Sequence, residues 1–391
     1  MKICFYTDSV FSYGGVQRVL ATIAKSLSIK HDITILTYDA PKTKDLSMYN
    51  LQDSHIQYIF LKNSGFKIWE WLPCKTYSFI YKKWLPKKPY TINLYGYSSF
   101  PTSKRKRLIN IINQENFDIV IGVHAFVSLH LSSIKHKIGS KTIAWMHNSY
   151  DAFFNTPNVY LWGQKERFIY EMKRLDKIVV LTKNDKKLYE QELGIKPEVI
   201  YNPLTLVPKG QGSPMNKKFL AVGRLSYLHK GFDILIKAFN IFSKENKEWT
   251  LDIVGEGPDE TLLRQLIKKY NLEKRITIHP FSDNIQKYYA SASIYILSSR
   301  WEGLPLVLFE AMSHYLPVIA SKIPVTSEIL SNSGGNVFFE SENFKDLAMI
   351  MTKMVNSEQL TEMGEKAFSY TQKFTISSIN KEWEQLLSNL E

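Results

Sequence analysis

Residues 298–312 read SSRWEGLPLVLFEAM, and within that span an apolar strand ends and a helix begins. The preceding SIYIL has strand length, and Pro305 suits the start of a helix, where its missing N–H costs nothing. The loop between them carries Glu302 and Gly303. Glycine there lets a ligand come close to the backbone. Beyond Leu304 and Pro305, the N–H groups of Leu306 and Val307 point outward from the helix start and favour an anion such as a diphosphate. Glu302 lies in the loop and Glu310 about one and a half turns inside the helix, so the two carboxylates meet different surroundings. Taken alone, the stretch also reads as an ordinary helix start with an acidic residue near the positive end of its dipole.

The same alternation extends in both directions. After residue 218, KFLAVG, TLDIVG, RITIHP, SIYILSS, LPVIAS and GNVFF read as strands, with helices after Lys230, Pro258 and Pro305 and around Tyr288. Before residue 202, KICFYT, DITILTY, FDIVIGVH, TIAWMH, KIVVLT and PEVIYN read as strands, with helices after Gly15, Arg105 and Asn184 and near Lys165. Strands alternating with helices predict parallel sheets covered by helices, an α/β class. Residues 202–218 lack apolar periodicity and read as a linker. A chain of 391 residues exceeds the size at which one core keeps growing, so two domains are expected, 1–205 and 206–373. The terminal stretch 374–391 reads as a helix whose apolar stripe from Trp383 to Leu387 predicts packing back across the first domain. Ligands of open α/β sheets bind outside the carboxyl ends of the strands.

Two further strand-end loops stand out. In VGRLSYLHKGFD (222–233), Arg224 and Lys230 can converge as a fork and a point charge on one diphosphate, although two surface cations would look the same. In TDSVFSYGGVQRVLATIAKSL (7–27), Gly14 and Gly15 separate the first strand from an amphipathic helix. The pattern is not GxGxxG, so a dinucleotide fingerprint is not supported, and a plain turn would need no ligand.

Hydrophobic content of 44% and charged content of 22% describe a folded protein. Cys4 and Cys74 form neither a disulfide framework nor a CxxC metal signature, which fits a reducing cytoplasm. MKICFYTDSV is too short and polar for a signal peptide, and no run of 18 apolar residues occurs. The expectation is a cytoplasmic protein, at most peripheral on the inner face of the membrane. The net charge is +13, and between Lys62 and Arg107 eleven Lys and Arg residues meet one acid, Glu70. Trp69, Trp71, Trp84 and eight further aromatics are interleaved there. That mixture in 62–107 suits an anionic membrane surface, while a solvated basic loop over buried rings is the competing account. No RNA- or DNA-binding motif accompanies it, so no nucleic acid partner is expected. No D-x-D and no His/Cys/Asp cluster with metal-ligand spacing occurs, so neither metal nor cofactor is expected.

Together, VGR…KG, IVGEGP, the SxxEGLPLxLxEAM stretch with its E-x7-E pair and the looser GGVQRV turn closely resemble the large family of retaining glycosyltransferases. That family includes lipopolysaccharide-core galactosyl- and glucosyltransferases and phosphatidylinositol mannosyltransferases. The resemblance covers nearly the whole chain and implies the GT-B fold, two Rossmann-like domains whose parallel sheets face an interdomain cleft. It implies that Arg224 and Lys230 clamp the diphosphate of a nucleotide-sugar donor, with Gly14 and Gly15 approaching from the first domain. Glu310 would bind the ribose hydroxyls and Glu302 the donor sugar, with Gly303, Leu304, Pro305 and Leu306 as the backbone around phosphate and sugar. Phe281 and Ser282 would edge the base. The implied activity is metal-independent, retaining transfer of a hexose, with UDP-hexose as the expected donor and a glycan or lipid-linked glycan as acceptor in cell-surface polysaccharide or glycolipid synthesis.

His124 and His147 end consecutive strands in the first half. In many relatives a histidine near the first position contacts the donor sugar, and the second matches a histidine common in the family. A structural role is the alternative for each. His229 reads as a loop residue beside Lys230, and His279 as packing near the base. Two other functions stay open at this point: another sugar-nucleotide-binding protein on the same fold, and a non-catalytic copy.

Overall fold

The computed structural model describes residues 1–61 and 68–390, with residues 68–70 described by backbone alone. The chain forms two units, Met1–Pro203 with Ile376–Glu391, and Leu204–Thr375.

The first unit holds seven parallel strands: β1 (Lys2–Thr7), β2 (Asp32–Thr37), β3 (Gln57–Phe60), β4 (Ile119–Val123), β5 (Lys141–Trp145), β6 (Lys177–Val180) and β7 (Glu198–Val199), in the order β3-β2-β1-β4-β5-β6-β7. β1 pairs with β2 on one side, Ile3 beside Ile33, and with β4 on the other, Ile3 beside Ile119. Apart from its first residues β1 is buried, and β4 is buried throughout. Strands covered by helices on both faces need such continuous apolar runs.

The C-terminal helix Ile376–Ser388 belongs to this unit and packs on the helix Gly15–Leu27. It buries Ile379, Trp383, Leu386 and Leu387. The Trp383 ring meets Trp145 edge-on at 4.8 Å and 71°, a favoured arrangement for two indoles.

The second unit holds β8 (Lys218–Val222), β9 (Thr250–Val254), β10 (Ile276–His279), β11 (Ile294–Leu297), β12 (Val318–Ser321) and β13 (Asn336–Phe339), in the order β10-β9-β8-β11-β12-β13. All of its pairs are parallel. In both sheets the winding reverses next to the first strand, between β1 and β4 and between β8 and β11. Loops leaving the carboxyl ends of strands at such a reversal diverge and leave a crevice for a ligand.

Three details differ from the sequence reading. QYIF, at the edge of the first sheet, forms β3 although it is too short to stand out as a strand. The helix expected after Arg105 starts at Thr102 and runs to Glu115, which buries Arg105. The basic stretch is itself helical, over Ile68–Lys83 and Pro89–Ser99. Its rings divide: Tyr81, Tyr95 and Phe100 are buried, whereas Trp71, Phe79, Trp84 and Tyr90 are exposed, Trp84 by 75%. Lys62, Phe66 and Lys67 lie outside the described residues, as do the side chains of Trp69 and Glu70.

Candidate active site

In the second unit the loop after β8 and the loop after β11 are joined backbone to backbone. Arg300 N–H donates to the His229 carbonyl at 2.8 Å, and Ser298 Oγ donates to the Lys230 carbonyl at 2.9 Å. Gly231 sits between them at φ +62°, and a Cβ there would stand 2.1 Å from the Ser298 carbonyl oxygen. Only glycine meets both demands. Arg300 then braces the loops with a two-pronged bond to Asp233, at 3.1 and 3.2 Å.

This joint places Lys230 Nζ 2.6 Å from Glu302 Oε1, across 72 residues of sequence, with both side chains largely buried. Ser299 Oγ donates to the same carboxylate at 2.5 Å. His229, on the short turn of helix Tyr227–Lys230, stacks on Trp301 at 4.8 Å and 13° and brings Nε2 to 3.7 Å from Glu302 Oε2. Burial alone would raise the Glu302 carboxyl, but Lys230 and His229 outweigh it and hold the group at about 2. Glu302 is therefore a carboxylate at any physiological pH. The sequence places His229 in the loop beside Lys230, and the structure makes it a third member of this cluster.

Glu310 lies in the helix Leu306–Ser313, with Pro305 at its N-cap and no side chain capping it. Tyr289 donates to Glu310 Oε2 at 2.9 Å. Tyr295, wholly buried, is pushed well above the ordinary phenol value by burial and then by Glu302 and Glu310. Gly303, Leu304, Pro305 and Leu306 are all buried, forming the floor between the two glutamates. Arg224 is exposed and forms no salt bridge among the described residues. Phe281, 48% exposed, and Ser282 follow β10, and Phe281 N–H donates to Glu256 Oε1 in the loop after β9. His279 ends β10 with Nε2 3.2 Å from Asp252 Oδ1.

In the first unit, the corresponding reversal carries Gly14 and Gly15 after β1, both exposed, and His124 after β4. Gly14 is extended, and its N–H donates to the Tyr49 hydroxyl at 3.1 Å. His124 has φ +88° and caps the helix Ala125–Ile134. Positive φ in a non-glycine residue stores strain and is enriched at functional positions. Burial lowers its imidazole to about 4, and Asn148 Nδ2 stands 3.2 Å from its Nε2. His147, after β5, is buried against Trp145, and its Nε2 has no hydrogen-bond partner among the described residues. Burial holds this imidazole well below its ordinary value too. Asp151, on the helix Tyr150–Phe154, accepts from Asn155 Nδ2 at 2.6 Å.

Among the described residues, no group of three or more His, Cys, Asp and Glu side chains could hold a metal ion, and no helix is long and apolar enough to cross a membrane.

Two doubly wound parallel sheets, the second with a cation and two carboxylates at its reversal, are the architecture of a site for a charged ligand. Residues 13–206 match the model of glycosyltransferase family 4 and residues 207–371 that of the glycosyl transferases group 1. An uncharacterised glycosyltransferase of Haemophilus influenzae is 30% identical over 307 residues, 76% of this chain and 85% of that protein. The amylovoran biosynthesis glycosyltransferase AmsD of Erwinia amylovora is 31% identical over 225 residues, 54% of this chain and 62% of its own length. The structure of Anabaena HepE in complex with UDP-glucose superimposes with a TM-score of 0.74 at 18% identity, covering 100% of both chains. The chain belongs to the group 1 glycosyltransferases and has the GT-B fold.

The buried pair makes a testable demand. Lys230→Ala should destabilise the protein by about 3–5 kcal/mol, because it strands a buried carboxylate, and Lys230→Ala/Glu302→Gln should recover most of that loss. The Glu302 carboxyl is depressed when folded, so its contribution is complete above its ordinary value of 4.5 and falls away as pH drops toward about 2. Urea unfolding of the three proteins at pH 7 and pH 3.5 reads both effects. A single mutant as stable as wild type would show that the pair carries no strain of this kind.

Proposed function

We propose that this glycosyltransferase moves a hexose from UDP-hexose onto a glycan or lipid-linked glycan in cell-surface polysaccharide synthesis, with retention of configuration and without a metal ion. The observation that carries this reading is the charged Lys230–Glu302 pair beside an uncapped helix start, at the reversal of the second sheet. In this reading the diphosphate takes the place beside Lys230, Arg224 and the Leu306 and Val307 N–H groups. Glu302, fixed as an anion, accepts from hydroxyls of the donor sugar. Glu310 accepts from the ribose, and the backbone around Phe281 and Ser282 meets the base. In the first unit, the family resemblance assigns Gly14, Gly15, His124 and His147 to substrate. AmsD supports the polysaccharide context, and the UDP-glucose bound to HepE supports the donor.

The reaction would proceed on one face. The bond from the anomeric carbon to the β-phosphate oxygen breaks, and the acceptor oxygen bonds to that carbon. The acceptor proton passes to the leaving phosphate. Lys230, Arg224 and the helix N–H groups stabilise the charge that develops on the diphosphate, which is preorganised electrostatic catalysis.

Arg224→Ala removes a charge-assisted contact worth about 1.5–3 kcal/mol, so calorimetric titration should find UDP bound roughly ten- to a hundredfold more weakly. Glu310→Gln should also weaken UDP. Unchanged affinity in both would take them out of the nucleotide site. With UDP-glucose or UDP-galactose as donor, activity should persist in EDTA and the product should show the small anomeric coupling of an α-linkage. A β-linked product, or activity that returns only with magnesium, would overturn the retaining, metal-independent reading.

We also propose that the exposed Trp71, Phe79 and Trp84, beside Lys75, Lys82 and Lys83, attach the enzyme to an anionic membrane carrying its acceptor. Each cation near such a surface contributes roughly 1 kcal/mol, and the rings add a part that salt does not screen. Co-sedimentation with phosphatidylglycerol vesicles should be strong at low salt and weak for Lys75→Glu/Lys82→Glu/Lys83→Glu. Wild-type protein left in the supernatant would point to an acceptor in solution.

A further inference from the structure

At the carboxyl end of β4, four rings gather around His124. The imidazole, partly buried, lies 5.6 Å from the Phe126 ring at 25°, 5.8 Å from Tyr160 at 46° and 5.8 Å from Phe153 at 69°. Phe153 is wholly buried and meets Tyr160 edge-on at 5.7 Å, so it forms the floor of the group. Phe126 and Tyr160 are exposed, by 38% and 41%. Core packing accounts for Phe153, but it does not call for two large exposed rings flanking one imidazole.

Tyr160 is held there against its own backbone preference. Its φ is +44°, in a loop where Asn158 at +61° and Gly163 at +72° are left-handed too. Leu161, wholly buried, anchors this loop through its N–H, which donates to the Phe153 carbonyl at 3.2 Å. Trp162 N–H donates to the Val159 carbonyl at 3.1 Å. A bulky residue in the left-handed region is strained, and the contacts around it must supply the cost. Asparagine or glycine would turn the chain with less strain, so the turn itself does not call for a tyrosine.

The polar atoms of this group are open. Asn148 Nδ2 stands 3.2 Å from His124 Nε2, and by donating there it leaves the proton of the uncharged imidazole on Nδ1. His124 Nδ1 and Asn148 Oδ1 make no hydrogen bond among the described residues, and neither is sealed from water. A donor and an acceptor are thus available beside two exposed rings. A pyranose ring has the complementary chemistry. Its C–H groups, slightly positive, pack on the negative face of an aromatic ring, and each of its hydroxyls can both donate and accept. The charged side chain on the helix Tyr150–Phe154, which carries Phe153, is a carboxylate, Asp151, and it disfavours an anionic ligand.

We propose that Phe126 and Tyr160, with His124 Nδ1 and Asn148 Oδ1, form a subsite for an uncharged saccharide ring, the terminal residue of the acceptor. This rests on the transferase reading above, in which the donor sugar is met by Glu302 in the second unit. Saturation-transfer NMR with methyl β-galactopyranoside, methyl α-glucopyranoside and lactose, with and without saturating UDP, should detect binding of at least one of them to wild type. Glycerol 3-phosphate, which is charged and has no ring to stack, should not bind. Tyr160→Asn, which suits the left-handed backbone, and Phe126→Ala, at an exposed position, should each weaken the bound probe roughly three- to tenfold, the range of one aromatic contact. Tyr160→Phe keeps the ring and should keep most of the binding. Calorimetric titration with UDP shows that each variant is folded. Wild type that binds none of the three glycosides, or folded variants that bind them as wild type does, overturns the proposal. So does a loss confined to the advantage of UDP-glucose or UDP-galactose over UDP, which would give the rings to the donor. Failure of wild type to bind UDP would instead sink the donor reading, and the glycoside titrations without UDP would still decide this subsite.

Discussion

A lysine and a glutamate removed from water together lose several kcal/mol of hydration each, and their attraction makes this good only when the geometry is held closely. Lys230 and Glu302 meet that condition because the two loops that carry them are locked together. Gly231 turns the chain where no other residue could stand, and Gly223 lies under the Lys230 stem, where a Cβ would be 3.1 Å from Cε. The Ser298 hydroxyl and the Arg300 N–H tie the two loops through the Lys230 and His229 carbonyls, and Ser299 gives the carboxylate a further donor. The loops after β8 and β11 are thus one object rather than two. Charge at the reversal of the sheet is what the sequence of both loops is arranged to permit.

That constraint separates the two glutamates chemically. Glu302 is held as an anion by Lys230 and His229, and Glu310 accepts from the Tyr289 hydroxyl. On the function proposed above, in which a diphosphate sits beside Lys230, the carboxylate would give up part of its pairing with the ammonium with little reorganisation of the protein. Such exchange within a fixed frame is how preorganised sites stabilise charge as it develops. The loops after β9 and β10 join the same frame: Leu225 N–H donates to the Glu256 carbonyl, Tyr227 N–H to Asp259, and Phe281 N–H to Glu256.

The sequence made the second unit legible because β9, β11 and β12 are buried along almost their whole length and the loops after β8 and β9 begin in glycine. KFLAVG and TLDIVG announce both the strand and its end. The cation, the two glutamates and the helix start could be read from spacing at strand ends, but their pairing could not. His229 was missed since its part depends on Trp301, which reaches it only once the two loops are joined. The first unit was less legible. QYIF forms a strand only because an edge of the sheet is there to pair with it, and local pattern carries no trace of such an edge. The aromatics of the basic segment divide into buried and exposed sets according to the helices that pack on them, so composition alone could not separate core from surface.

The strand ends of the two units differ in kind, and the difference has a chemical meaning. In the second unit the reversal carries fixed charge. In the first, the ends of β4 and β5 carry two imidazoles kept neutral by burial, His124 and His147. A neutral imidazole offers one donor and one acceptor and suits a hydroxyl, whereas it gives a diphosphate little. His124 also bears a φ of +88°, a conformation that costs on the order of 1–3 kcal/mol and persists only where the surroundings impose it. They do so here: its N–H donates to the Trp145 carbonyl, its own carbonyl accepts from Ser128 N–H and Oγ, and the rings of Phe126, Phe153 and Tyr160 surround it. Ser128 can come so close only because Gly122 has no Cβ, which would stand 2.8 Å from its hydroxyl. A strained residue fixed from so many sides is poorly explained by packing, which a relaxed apolar residue would serve as well. It is well explained if the direction of the imidazole matters, and a neutral, directed imidazole suits the substrate contact proposed above for His124.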